Sequence, residues 1–413
     1  MNDTDDRERG SAGQAQGGGM RQGWTWKPLG EVCKTGSGGT PLSSRKEFYE
    51  GGTIPWLVSG EVAQGNVREA KNFITAAGLE NSAAKLFPRD TVLVAMYGAT
   101  AGQVGILRFE AATNQAVCGI LPNDKFVPEF LYYFLLAKKD DLVAQATGNA
   151  QPNISQIKIK NTAIPVLPLP EQQRIVALLD EAFEGLATAK ANAEQNLHNA
   201  RTIFESHLQA VFSQRGVGWV DRMLDHVCIV ERGSSPRPIK EYFTAEPDGV
   251  NWIKIGDTVE GGKYVYSTKQ KITPEGAMQS RFVKEGDFIL TNSMSYGRPY
   301  IMKTTGCIHD GWFVLRLGSS IDADYFFYLL GSFVVQSQFT ALASGSVVKN
   351  ISGDLVKKAV LPIPPLEHQK NIVEKLLALE EETQRLTRIY ERKLAALEEL
   401  KKSLLHQAFN GEL

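Results

Sequence analysis

The chain has 413 residues, 43% of them hydrophobic, and a formal net charge of −1. That length predicts two or three domains with sizeable cores, and no apolar run reaches the ~18 residues needed for a membrane span. Cys33, Cys118, Cys228 and Cys307 show no paired spacing, which argues against a zinc site or a disulfide framework and for a reducing cytoplasm.

In chain order, residues 1–23 are rich in Gly, Asp, Gln and Arg and lack an apolar core. They read as a disordered lead-in, not a signal peptide. From residue 24 onward the chain is a tandem repeat with an offset of 195 to 197 residues. Leu29-Gly-Glu-Val-Cys33 returns as Leu224-Asp-His-Val-Cys228, Thr40-Pro41 as Ser235-Pro236, and Trp56 as Trp252. Thr147–Ser155 returns as Ser344–Ser352, and the Pro-rich run from Ile164 to Gln173 as Leu361 to Gln369. Such an ordered series has to be read as duplication before any element is assigned.

Each repeat opens with about 140 residues of short β-like runs, such as Thr91–Ala95 and Asp287–Thr291, separated by Gly and Pro turns. Prolines then stop regular structure, and a long helical pattern begins at 171–213 and again at 367–409. The second helix carries a four-three seam: Ile372, Leu376, Leu379, Thr383, Leu386, Tyr390, Lys393, Leu397, Leu400 and Leu404. The first is less regular, through Ile175, Leu179, Ala182, Leu186, Ala189, Ala193, Asn196, Ala200, Ile203, His207 and Ala210. In it Asn196 and His207 either fix register or reach solvent. The expected fold is α/β (α+β), with two pseudo-twofold-related heads separated by two long antiparallel helices forming a coiled coil. At ~1.5 Å per residue each helix is about 65 Å long and acts as a spacer. The boundaries are 1–23, 24–166, 167–215, 216–363 and 364–413.

Lys and Arg slightly outnumber acids in the two heads, and acids outnumber bases in the helices. That is the sign DNA contact requires, although the excess is small. Candidate contacts lie in polar loops. In the first head they are Thr40, Arg45, Lys46, Tyr97, Thr100, Gln103, Asn114, Gln115, Asn149, Gln151 and Asn153. Amides suit adenine, and the Gly36–Pro41 turn would let backbone amides approach phosphate. In the second head they are Ser235, Arg237, Lys240, Asn292, Ser293, Tyr296, Arg298, His309, Lys349 and Asn350, with Arg232 nearby. Arginine there suits guanine or phosphate. Cys33 and Cys228 recur beside Leu and Val and read as core, and Gly98, Gly102 and Gly297 as turn geometry. Trp56/Trp252 and Phe87/Phe282 read as shared scaffold. The loops differ, with Gln103 against Arg298 and Asn114 against His309. Identical heads would read a palindrome, whereas divergent loops imply two different half-sites.

The Pro-Leu-Pro-Glu-Gln-Gln-Arg-Ile-Val176 run, its repeat ending at Val373 and the terminal Gln407-Ala-Phe-Asn-Gly-Glu-Leu413 resemble those of type I restriction–modification specificity subunits over about 24–413. The resemblance implies two target-recognition domains on double-stranded DNA and helices that dock two modification (methyltransferase) subunits. It further implies restriction (ATP-dependent translocase/endonuclease) subunits as partners. S-adenosylmethionine, ATP and Mg would then belong to partner subunits, with no cofactor or metal on this chain. No methyltransferase motif or Walker A loop is present. The carboxylate–lysine pairs Glu391/Lys393 and Glu399/Lys401 sit on the helix as a solvated face. A DNA-specificity subunit of a methyltransferase-only system and a purely structural coiled-coil adaptor are the alternative readings.

Overall fold

In a computed structural model, described at residues 24–146, 153–259, 261–292, 297–343 and 351–413, the chain forms two compact units. One comprises Met1–Ala193 with Arg392–Leu413, the other Glu194–Glu391. Each contains one head and a portion of both long helices.

The first head is built on a five-stranded sheet in the order Thr35–Ser37, Val117–Ile120, Val92–Ala95, Val104–Leu107, Asn66–Val67. The central strand Val92–Ala95 is buried along its whole length because both faces are covered. Val92 and Val94 face a core with Phe130 and Phe134 of helix Pro128–Ala137. Leu93 and Ala95 face the opposite core with Leu57, Phe87 and Val117, as the two-residue period of a strand requires. A second sheet runs Asn72–Ile74, Ile54–Leu57, Ala111–Thr113, Leu86–Phe87.

The second head repeats this order. Its main sheet runs Cys228–Arg232, Trp312–Leu317, Phe288–Thr291, Pro299–Met302, Tyr264–Val265. Register repeats as well, with Trp56 opposite Ala112 and Trp252 opposite Cys307, both in parallel pairs. In each head a strand at its start pairs antiparallel with the strand of the Pro-rich run, Thr25–Pro28 with Ala163–Val166 and Val220–Met223 with Val360–Ile363.

The two long helices are Leu169–Ser213 and Leu366–Asn410, 45 residues each. Both start where a glutamine is wholly buried in its head. Gln172 donates to the carbonyls of Lys125 and Leu167, each at 2.8 Å. Gln369 donates to those of Ser320 (3.3 Å) and Pro364 (2.9 Å). Within each unit the helices run antiparallel. Lys190 pairs with Glu398 at 2.7 Å in the first unit, and Arg201 with Glu391 at 2.8 Å in the second. In the first unit the C-terminal turn returns to its head, where Phe409 meets the edges of Phe130 and Phe134 and Arg174 donates to the Leu413 carbonyl. Burying a phenylalanine this way contributes ~1.5–3 kcal/mol. No helix of the described residues is long and apolar enough to cross a membrane.

Three expectations need correction. The helix seams slip by one residue: Lys393 and Leu400 face solvent, with Leu394 and Lys401 turned inward in their place. In the first helix Asn196, Ile203 and His207 are exposed, while Leu197, Phe204 and Leu208 are partly buried. Thr383 is a buried seam position, its hydroxyl satisfied by the Leu379 and Glu380 carbonyls. Phe87 and Phe282 are not equivalent either, being 2% and 51% exposed. Phe87 lies against Gly119, where a Cβ would stand 2.5 Å from its ring. In the second head the register sets Val283 opposite Gly306 as Phe87 is opposite Ala111, so the buried Val283 takes the Phe87 place and Phe282, opposite Cys307 as Leu86 is opposite Ala112, lies on the outer face. The Gly36–Pro41 turn, lastly, offers no amides to phosphate at Gly38 and Gly39. Gly38 donates to Val117 O at 3.3 Å and Gly39 to Thr113 O at 2.9 Å.

Candidate nucleic-acid interface

In both heads one set of backbone bonds gathers the polar loops. In the first, Met96 N–H donates to Ala116 O (2.7 Å) and Ile154 N–H to Met96 O (2.9 Å). In the second, Asn292 N–H donates to Gly311 O (3.0 Å), Ile351 N–H to Asn292 O (3.1 Å), and Gly233 N–H to Trp312 O (2.9 Å). The crossing is so close that only glycine fits: a Cβ at Gly38 would stand 2.0 Å from Thr113 O, and one at Gly233 2.1 Å from His309 O.

This brings Thr40, Tyr97, Asn114, Gln115 and Asn153 together in the first head. Thr40 donates its hydroxyl to the Gln115 side-chain oxygen, and Tyr97 bridges Asn153 through the backbone. Asn114 uses its Oδ1 to accept the Ala116 N–H at 3.1 Å, which shapes the turn. Thr100 turns its hydroxyl to the Tyr97 carbonyl, and Gln103 follows half-buried in the same loop. Arg45 and Lys46 begin the short 3-10 turn after Leu42, paired in solvent with Glu47 (3.2 Å) and Glu50 (4.0 Å). Asn149 and Gln151 lie outside the described residues.

In the second head the loops gather on Asp310, a residue sequence reasoning missed. Its carboxylate accepts from Ser235 at 2.7 Å and Arg237 at 3.1 Å. Its carbonyl accepts from Asn292 Nδ2 at 2.6 Å and Arg232 Nε at 3.3 Å. Asn292 is buried, so its amide is spent on the loop and it serves the scaffold. The Ser235 hydroxyl lowers the Asp310 pKa against the opposing effect of partial burial, with Arg237 and His309 adding to the lowering. The missed signal was the offset itself, which sets Ser235–Asp310 opposite Thr40–Gln115.

His309 accepts the Gly311 N–H through Nδ1 at 2.8 Å and lies between the rings of Trp252 and Trp312. Burial lowers its pKa, helped by Lys254 and opposed by Asp310 and Asp257. With Nδ1 accepting, the ring has its proton on Nε2. Arg298 follows Gly297, its N–H held by the Thr291 hydroxyl at 3.0 Å. Lys240 is exposed on the short turn Ile239–Tyr242. Ser293, Tyr296, Lys349 and Asn350 lie outside the described residues. Gly98, Gly102 and Gly297 take positive φ, as turn glycines do. All four cysteines are buried free thiols, and burial raises each pKa, to about 12 for Cys118 and Cys228. Among the described residues no group of three or more His, Cys, Asp or Glu is placed to hold a metal ion.

Two copies of one α/β head, each carrying its own polar loop cluster, define a duplicated recognition protein. The model of the type I restriction modification DNA specificity domain matches twice, at residues 21–197 and 216–398. The chain belongs to that family, whose members are DNA-recognition subunits rather than catalytic ones. It is 23% identical to the type I restriction enzyme MjaVIII specificity subunit of Methanocaldococcus jannaschii, over 94% of this chain and 93% of that protein. It is 29% identical to the EcoR124I/EcoR124II specificity subunit of Escherichia coli over 38% of this chain, spanning only 40% of that relative. The fold matches the HsdS subunit from Thermoanaerobacter tengcongensis with a TM-score of 0.65 at 21% identity, covering 95% of this chain and 98% of that one.

Proposed function

We propose that the chain binds a bipartite, asymmetric site on double-stranded DNA, one half-site per head, and docks modification subunits through its long helices. The observation that carries this is the pair of loop clusters: one backbone frame holds Thr40, Asn114 and Gln115 in one head and Ser235, His309 and Asp310 in the other. A common frame with different side chains reads different bases from a common pose. The remaining described candidates, Tyr97, Thr100, Gln103, Asn153, Arg237, Lys240 and Arg298, supply further base or phosphate contacts. Arg45 and Lys46, exposed on the turn that follows Thr40 and Pro41, serve phosphate.

Catalysis belongs to the partners in this reading. Modification subunits bring S-adenosylmethionine, and restriction subunits bring ATP and Mg. The test is methylation of a plasmid library by the purified chain, with S-adenosylmethionine, in the presence and absence of its modification subunits. Methyl transfer at one split motif only when the subunits are present supports the proposal. Transfer by the chain alone would refute it.

A further inference from the structure

The pairs Thr40–Gln115 and Ser235–Asp310 occupy one place in the repeat, each a hydroxyl donating to the side-chain oxygen 75 residues further on. The chemistry presented beyond that bond is opposite. Gln115, exposed and with its oxygen engaged by Thr40, has its amide N–H donors left to offer. Asp310 can only accept. Ser235 takes one oxygen and Arg237 the other, yet the side chain remains 45% exposed and so has lone pairs to spare. Arg237 also balances the carboxylate's charge, which offsets repulsion from DNA phosphates. Behind it, Asn292 and Arg232 hold the Asp310 carbonyl, so the carboxylate stands on a fixed turn.

In the major groove, cytosine presents an amino donor, whereas guanine and thymine present keto acceptors that repel a carboxylate. Adenine sets its N7 acceptor beside its amino group, which makes it the poorer partner. We propose that positions 115 and 310 are the matching base-selecting positions of the two heads, with Asp310 selecting cytosine through its amino group and Gln115 selecting a base acceptor. This rests on the DNA-recognition reading above.

The experiment uses the full chain with its modification subunits and maps methylated sites across a genome. The wild-type complex comes first: if it methylates no split motif, the DNA-recognition reading fails, independently of this inference. With a wild-type motif in hand, Asp310→Asn should weaken the cytosine preference at one position of one half-site by about ten-fold or more. The other half-site should not change. An unaltered motif, or uniform weakening at all positions, would overturn the assignment. Should Asp310→Asn lose its circular dichroism signature, Gln115→Glu decides the matter on an exposed side chain. A new preference for an amino-bearing base at one position of the opposite half-site supports the inference, and an unaltered motif overturns it.

Discussion

The backbone N–H of Val127 donates to the side-chain oxygen of Gln172 at 2.9 Å, and Asp322 does the same to Gln369 at 2.8 Å in the second head. One glutamine thereby ties the loop that opens helix Pro128–Ala137 (Ala323–Gly331 in the second head), the Pro-rich run and the first turn of the long helix. Replacing Gln172 by Ala leaves the buried Leu167 carbonyl unsatisfied, at ~1–3 kcal/mol, and gives up the bonds to the half-buried Val127 N–H and the Lys125 carbonyl, which water can reach. The first unit should lose about 2–4 kcal/mol in denaturant unfolding, with Gln369→Ala doing the same to the second. Gln173→Ala, at the exposed neighbour, should change stability by less than ~0.5 kcal/mol.

The contrast between Phe87 and Phe282 gives a second expectation. Gly119→Val forces a branched side chain into the Phe87 ring and should destabilise the first head by ~1–3 kcal/mol. Phe282→Ala removes an exposed ring and should cost no more than ~0.5 kcal/mol. Thermal melts of the two variants check both values; a loss of more than ~1 kcal/mol from Phe282→Ala would show that its ring is packed after all.

Burial raises the thiols of Cys118 and Cys228 from 9.0 to about 12. The folded state therefore favours the protonated form. Its contribution is complete below pH 9 and is lost as pH rises from about 9 towards 12. Stability should fall over that window, and less steeply in a Cys118→Ala, Cys228→Ala double variant. At pH 8 the native protein should react slowly with a maleimide and take up four equivalents only after denaturation.

The duplication, the strand-rich heads and the two long helices were all legible, because repeats and periodicity are properties of the sequence itself. The helix faces were less so. A strict four-three count places Lys393 and Leu400 inward, but the seam passes through Leu394 and Lys401, whose flexible stem lets its Nζ lie over the Phe183 ring. Loop chemistry was the least legible part. Gly38 and Gly39 read as amides free for phosphate, yet both close onto carbonyls that only the fold brings near. Asn292 read as a contact because nothing local shows that Asp310, 18 residues on, consumes its amide.

Modular reading of DNA is the central claim, and exchange of one head tests it most directly. Residues 24–166 are replaced by the corresponding domain of another specificity subunit, and the methylated sites of cells carrying the chimera and its modification subunits are sequenced. The expected result is a motif with one half-site altered and the half-site of 216–363 intact. Alteration of both half-sites, or of neither, would contradict independent reading by the two heads.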